Sequence, residues 1–127
     1  MELNQVAFEP MNEVHNREAE ILEKLLQAIE HKEPLEEVYE EFVKDVENHF
    51  SFEQELMEKY NFFAKMPHKM EHDKILNELY ELRNDLNNYE KMEKYFKEHF
   101  IPWLHNHIAT MDTVTAGFFN MVGATTN

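Results

Sequence analysis

Seven residues of this 127-residue chain have the chemistry and the spacing to enclose a pair of metal ions: His15, His49 and Glu53, His68 and His72, and His107 and Asp112. Residues four apart on a helix project from one face. His49 with Glu53, and His68 with His72, can therefore each present two ligands to one point. His107 and Asp112 are five apart and, at ~100° per residue, diverge by roughly 140°, so they flank a face rather than stack on it. Two adjacent ions make that divergence useful, because an imidazole can serve one ion while a carboxylate bridges both.

Two six-coordinate ions offer about twelve positions. Five imidazoles, two bridging carboxylates and a bridging oxide or hydroxide fill all but one of them. An open position is what binding a small molecule requires. A single histidine on an apolar stripe is an ordinary core residue. The full set is different, since Glu53 and Asp112 are costly to bury unpaired and a cation removes that cost. Imidazole and carboxylate also suit zinc or manganese, so ligand type alone leaves the metal open. Ferritin-like bundles use Glu-x-x-His. Here the residues three before the eight histidines are Asn12, Ala28, Val46, Lys65, Lys69, Phe96, Pro102 and Leu104, and none is Glu. Lys69 likewise breaks the zinc-protease pattern His-Glu-x-x-His at His68 and His72.

These ligands must be carried by four helices. The first is expected over residues 11–31, with Asn12 as N-cap and a stripe of Ala19, Leu22, Leu26 and Ile29 that His15 joins. Pro34 ends it. The second is expected over 35–60, with Val38, Phe42, Val46, Leu56 and Met57 buried. The third is expected from Pro67 to about Phe96, on Ile75, Leu76, Leu79, Leu82 and Leu86. The fourth is expected to start at Pro102, with Trp103, Leu104, Ile108, Met111, Val114 and Phe118 inward. Residues 124–127 are expected to fray. Short connections imply antiparallel neighbours, hence an all-α, up-down-up-down four-helix bundle with a di-metal site in its core and one domain over 1–127.

Composition agrees. Gly is scarce at 2 residues and Cys is absent, which favours helix and excludes disulfides, thiolate zinc and cysteine-ligated clusters. The net charge of −14 argues against nucleic acid and anionic membranes as partners. No stretch approaches the ~20 apolar residues of a membrane span, and the start shows no signal-peptide pattern. A cytoplasmic location is the expectation. His31, His99 and His105 fit no ligand spacing, and the methionines are expected to fill the core.

The order of motifs, a lone His on the first helix, then His-x-x-x-Glu, His-x-x-x-His and His-x-x-x-x-Asp, resembles the hemerythrin family, specifically its bacterial single-domain members. The resemblance covers nearly the whole chain, and "WLHNHI" (Trp103 to Ile108) is similar to the family's Trp-Leu-x-x-His-Ile. It implies two non-haem irons joined by an oxo or hydroxo bridge. His68, His72 and His107 would complete one iron, and His15 and His49 would serve the other, which stays open for dioxygen. Glu53 and Asp112 would bridge. In the family, dioxygen is reduced to a hydroperoxide while both irons become ferric, and release reverses this. Phe50, Trp103, Leu104 and Ile108 fall at the positions of the apolar ligand pocket, where exclusion of water and protons protects the reversible state. One departure is Glu18, one turn after His15, where the family usually has a hydrophobic residue. It either faces solvent or reaches the open iron as ligand or proton relay.

The expected function is reversible dioxygen binding for storage, delivery or sensing, rather than an enzyme activity. The alternatives are a di-iron peroxidase or oxidase, nitric oxide chemistry included, with Glu18 handling protons, and an iron-handling protein. Nitric oxide, peroxide and an electron donor for re-reduction are the further partners these readings bring.

Overall fold

A computed structural model describes residues 1–126. Four helical rods account for it: α1 (Glu9–Glu30), α2 (Glu36–Lys59), α3 (Lys65–Leu82) and α4 (residues 89–121). Short connections make successive helices antiparallel, giving the up-down-up-down bundle. No strand occurs among the described residues.

Helix ends follow local chemistry. Pro10 sits in the first turn of α1, where its missing N–H leaves no bond unmade. Asn12 is therefore not the N-cap. It lies inside the helix, buried, and its amide grips the incoming chain, accepting from Val6 N–H at 2.8 Å and donating to Val6 C=O at 3.0 Å. The α1–α2 connection turns through Lys32 at φ 54°. Helix α3 begins two residues before Pro67, which still falls in the first turn.

The third and fourth helices divide differently from the sequence expectation. Helix α3 ends at Leu82, and a single 3-10 turn at Arg83–Asp85 leads to Asn88, whose Oδ1 accepts from Lys91 N–H at 3.1 Å and caps α4. The apolar periodicity runs across this corner, but Asn84, Asn87 and Asn88 offer the backbone local alternatives to helix. Pro102 is thus an interior residue of α4 and not its start.

Helix α4 accommodates Pro102 by widening. Its backbone is α-helical over Tyr89–Tyr95, Ile101–His107 and Thr113–Met121, with π turns at Phe96–Phe100 and Ile108–Asp112. Ile101 N–H bonds the carbonyl of Phe96, five residues back. In a regular helix the Pro102 ring would meet the carbonyl four residues back, and the wide turn just before it absorbs that conflict. The second π turn ends with Thr113 N–H and Oγ1 both on the Ile108 carbonyl, the hydroxyl at 2.7 Å.

That second widening rotates the rest of α4. One extra residue in a turn displaces the inward face by about 100°. Asp112, Thr115, Ala116 and Phe119 consequently face the core, while Met111 and Phe118 are only partly buried and Val114 is 52% exposed. The expectation that Met111, Val114 and Phe118 continue the buried stripe is overturned for this reason. Ala124 and Thr125, expected to fray, are bonded to Phe119 C=O and the Tyr60 hydroxyl, and Asn127 lies outside the described residues.

The core comes in two apolar clusters. The larger, including Leu22, Leu25, Phe42, Val46, Ile75, Leu79, Phe96 and Phe100, fills one end of the bundle. The smaller, with Phe8, Met11, Leu56, Met57, Phe62, Ala116 and Phe119, closes the other. His15, His68 and His72 lie between them in sequence, and His49 and His107 each immediately precede the last residue that their helix gives to the larger cluster, Phe50 and Ile108. The cap at Asn88 is expected to stabilise the corner by about 1 kcal/mol, so Asn88→Ala should lower the unfolding free energy by that amount, read as a lower denaturation midpoint with an unchanged slope.

Candidate metal centre

The layer between the clusters is polar and closed to bulk solvent. His15, His49, Glu53, His68, His72, His107 and Asp112 are each at most 2% exposed. Helix α1 supplies His15, α2 supplies His49 and Glu53, α3 supplies His68 and His72, and α4 supplies His107 and Asp112. All seven candidate ligands read from the sequence meet here in two overlapping sets, Glu53 with His68, His72, His107 and Asp112, and His15 with His49, Glu53 and Asp112. Within each set the donor atoms lie within 4.8 Å of one another.

The π turn at Ile108–Asp112 is what closes the first set. Five residues apart in a regular helix, His107 and Asp112 would diverge. In the widened turn they stack, with His107 Nε2 at 3.2 Å from Asp112 Oδ1. The expected flanking arrangement is replaced by convergence on one point. Glu53 and Asp112 occupy the middle. Glu53 Oε2 is 2.6 Å from His49 Nε2 and Oε1 is 3.2 Å from His68 Nε2, and Asp112 spans His15 at 3.0 Å and His68 at 3.1 Å.

These contacts do not satisfy the groups that make them. Both nitrogens of His15, Nε2 of His72, Oε1 of Glu53 and both Asp112 oxygens are buried without a hydrogen-bond partner among the described residues. His68 Nε2 and His107 Nε2 stand 3.2 Å apart, and between two neutral rings only one of these atoms can carry a proton. Buried acceptors aimed at a common space are costly without a cation, so the donor set fits resident metal ions.

The outer ring nitrogens are held by other side chains. His49 Nδ1 donates to Glu18 Oε1 at 2.8 Å, His68 Nδ1 to Thr115 Oγ1 at 2.8 Å, and His72 Nδ1 to Gln54 Oε1 at 3.1 Å. The Glu18 and Gln54 oxygens can only accept, which places a proton on the outer nitrogens of His49 and His72, and the Thr115 hydroxyl can accept from His68 in the same way. Glu18 is 1% exposed, so it faces neither solvent nor, with Oε1 on His49, a place among the converging donors. Asp45, one turn before His49, is also buried. Its Oδ1 accepts from Arg17 Nε at 3.0 Å while Oδ2 has no partner. Burial, reinforced by the neighbouring Glu18 charge, holds the Asp45 carboxyl above its usual range. Asp45, Gln54 and Thr115 were not singled out from sequence. Thr115 escapes because the π turn hides its register.

Among the apolar candidates, Phe50 lies flat on His72 with ring centroids 3.8 Å apart, and Trp103 stacks on His107 at 4.6 Å. Trp103 Nε1–H donates to Glu71 at 2.8 Å. Leu104 and Ile108 are each 1% exposed in the larger cluster. His31 and His105 stand outside on the surface, and His99 pairs with Glu78 at 2.8 Å.

Burial pulls the His15 and His68 imidazoles down, but the Asp112 and Glu53 carboxylates beside them outweigh it and raise each to about 9. Burial prevails at His72, which is pushed down to about 4. Without metal, His15 and His68 therefore hold protons at neutral pH opposite Glu53 and Asp112, and the Glu53 and Glu18 carboxylates raise His49 well above its usual value despite its burial. The folded pKa of His15 and His68 lies above the unfolded ~6.5, so the stability they contribute is fully present below ~6.5 and disappears as pH rises through about 9. The metal-free protein should lose stability across that window in denaturant titrations. Metal affinity should rise across it, and calorimetry in buffers of different ionisation enthalpy should record proton release at pH 7.

The comparisons with known proteins agree with this geometry. The family model described as the Hemerythrin HHE cation binding domain matches residues 6–118. The chain is 37% identical over 111 residues to the bacteriohemerythrin of Aquifex aeolicus (strain VF5), covering 84% of this chain and 85% of that protein. No solved structure matches. The match spans all four ligand-bearing helices and every residue of the buried layer, and the chain belongs to the hemerythrin family.

Proposed function

We infer that this chain is a non-haem di-iron protein that binds dioxygen reversibly. The observation that carries the reading is the inequality of the two ligand sets. Five donor residues surround one position and four the other, with Glu53 and Asp112 common to both. A shared oxide or hydroxide would add one ligand to each ion. The first would then be six-coordinate and closed, and the second five-coordinate with one position open. Family membership and the name of the Aquifex relative support iron as the metal and dioxygen as the ligand.

The ion pair, when bound, supplies the two electrons that dioxygen takes up and returns. The protein's part is to hold the ligands and keep the surroundings dry. Glu53, Asp112, His68, His72 and His107 would hold one ion, and His15 and His49, with the same two carboxylates, would hold the other. Phe50 packs between His49 and His72, with ring centroids 5.1 Å and 3.8 Å away, and Leu104 and Ile108 seal the larger cluster behind it. Dry apolar walls favour return of intact dioxygen over its loss as superoxide or peroxide.

The peroxidase reading relied on Glu18 reaching the open position. Its carboxylate instead accepts from the outer nitrogen of His49. Glu18 then orients a ligand, and storage or delivery remains the better description. Two tightly held ions in a metal titration would distinguish this from an iron store, which would take up many exchanging ones.

Iron-loaded, reduced protein examined by optical spectroscopy should develop a visible charge-transfer band in air and lose it when oxygen is stripped away. Immediate, irreversible conversion to a diferric spectrum would contradict reversible binding. Glu18→Leu should weaken iron retention at the two-histidine position by roughly ten- to a hundredfold in chelator competition, whereas Glu18→Gln, which can still accept from His49, should lose much less.

A further inference from the structure

The position left open on the second ion is sealed from solvent. His15, His49, Phe50, Leu104 and Ile108 are each at most 3% exposed. A small molecule therefore reaches this position only when part of the protein moves.

The four seams between neighbouring helices are fastened unequally. The Arg17–Asp45 and Lys24–Glu41 ion pairs and the Glu18–His49 bond join α1 to α2. Tyr80 with Glu47 and His72 with Gln54 join α2 to α3. Trp103 with Glu71, Tyr95 with Glu78 and His68 with Thr115 join α3 to α4. Between α1 and α4 the one side-chain polar contact among the described residues is His15 with Asp112, and both belong to the metal layer.

That seam is covered by the chain that leads into α1. Arg17 and Lys24 turn one flank of α1 toward α2. Asn12 lies roughly 140° around the helix from Arg17, on the flank toward α4. Its buried amide holds the Val6 backbone at N–H and C=O, at 2.8 and 3.0 Å. Phe8 belongs to the smaller apolar cluster, Leu3 packs against the larger, and Val6, half-buried, packs against both. Met11, buried in the smaller cluster, meets the expectation that methionines fill the core, whereas Met66, Met70 and Met121 are exposed. The Met1 ammonium pairs with Glu23, two turns beyond His15. The segment thus runs along α1 and crosses the level where the clusters meet, beside His15, one turn after Asn12. It has no helix before residue 9. A terminal segment held by so few bonds opens far more readily than the helices beneath it.

We propose that residues 1–8 are a strap over the α1–α4 seam, latched by Asn12 on Val6, whose release admits dioxygen and small anions to the two-histidine ion. The inference rests on the di-iron reading above. The strap supplies no donor to either ligand set, so release leaves all seven ligands in place. It governs how fast a ligand comes and goes. A ligand that makes no contact with the strap cannot shift the strap's own equilibrium, so affinity is unaffected. Water and protons use the same route, and a latched strap slows autoxidation.

The test is stopped-flow mixing of the oxidised, iron-loaded protein with azide, a small anion that ligates ferric iron, followed at the charge-transfer band it produces. Asn12→Leu removes both latch bonds and keeps the side chain's bulk. Val6→Ala keeps both bonds and removes packing. Association and dissociation should rise together, about tenfold for Asn12→Leu and less for Val6→Ala, with azide affinity unchanged within about twofold. Deuterium exchange at the Val6 amide should quicken in the same order, in metal-free protein as well. Asn88→Ala, at the α3–α4 corner, should alter neither azide rate. Unchanged rates in both strap variants, a changed affinity, or equal acceleration by Asn88→Ala would overturn the strap. Irreversible oxidation in air, with azide kinetics as stated, would contradict the dioxygen reading and leave the strap standing. Absence of any azide band in the wild type would overturn the di-iron reading and the strap with it.

Discussion

Two buried carboxylates that hydrogen bonds alone do not satisfy sit at the centre of this molecule. Glu53 and Asp112 are fully buried, and four helices are arranged so that five imidazoles reach them. An isolated buried carboxylate is costly, and a layer of half-satisfied ones more so. The structure tolerates this because the layer has two ways to balance its charge. Protons held on His15 and His68 do it weakly, and metal cations do it with every donor engaged. The apolar clusters on either side are the necessary complement. They exclude the water that would otherwise screen the layer, and they make each ligand's orientation a matter of packing as well as bonding.

Much of this was legible in the sequence, and the limits have definite causes. Helical pairs four apart, His49 with Glu53 and His68 with His72, need only regular geometry, so both the faces and the ligands follow from spacing. The pair His107 and Asp112 does not follow. Regular geometry separates them, and only the π turn makes them stack. The same inserted residue turns Val114 outward and Thr115 inward. The corner at Arg83–Asn88 was missed because apolar spacing continues through it, whereas the asparagines that end α3 and start α4 act through local hydrogen bonds that periodicity does not register. Pro102 was misread for a related reason. A proline suits a helix start, and it also survives inside a helix when a wide turn precedes it.

Helix α4 links these points into one device. Its first π turn accepts Pro102, and its second delivers Asp112 to the metal layer. The rotation that follows places Thr115 behind His68 and leaves an apolar, uncharged stripe on the outside. Ligand placement and surface character are thus consequences of a single irregularity. Glu18 belongs to the same logic on the opposite side. A carboxylate where an apolar residue would pack is stable only because His49 presents a donor to it.

The central claim is that the buried layer is a two-ion site with unequal ligand sets. Anomalous X-ray scattering at the iron edge, from crystals of the iron-loaded protein, tests it most directly. The account requires two peaks flanking Glu53 and Asp112, one within reach of His68, His72 and His107 and the other within reach of His15 and His49, with Glu18 bonded to His49 and to neither ion. A single peak, or a second ion ligated by Glu18, would contradict it.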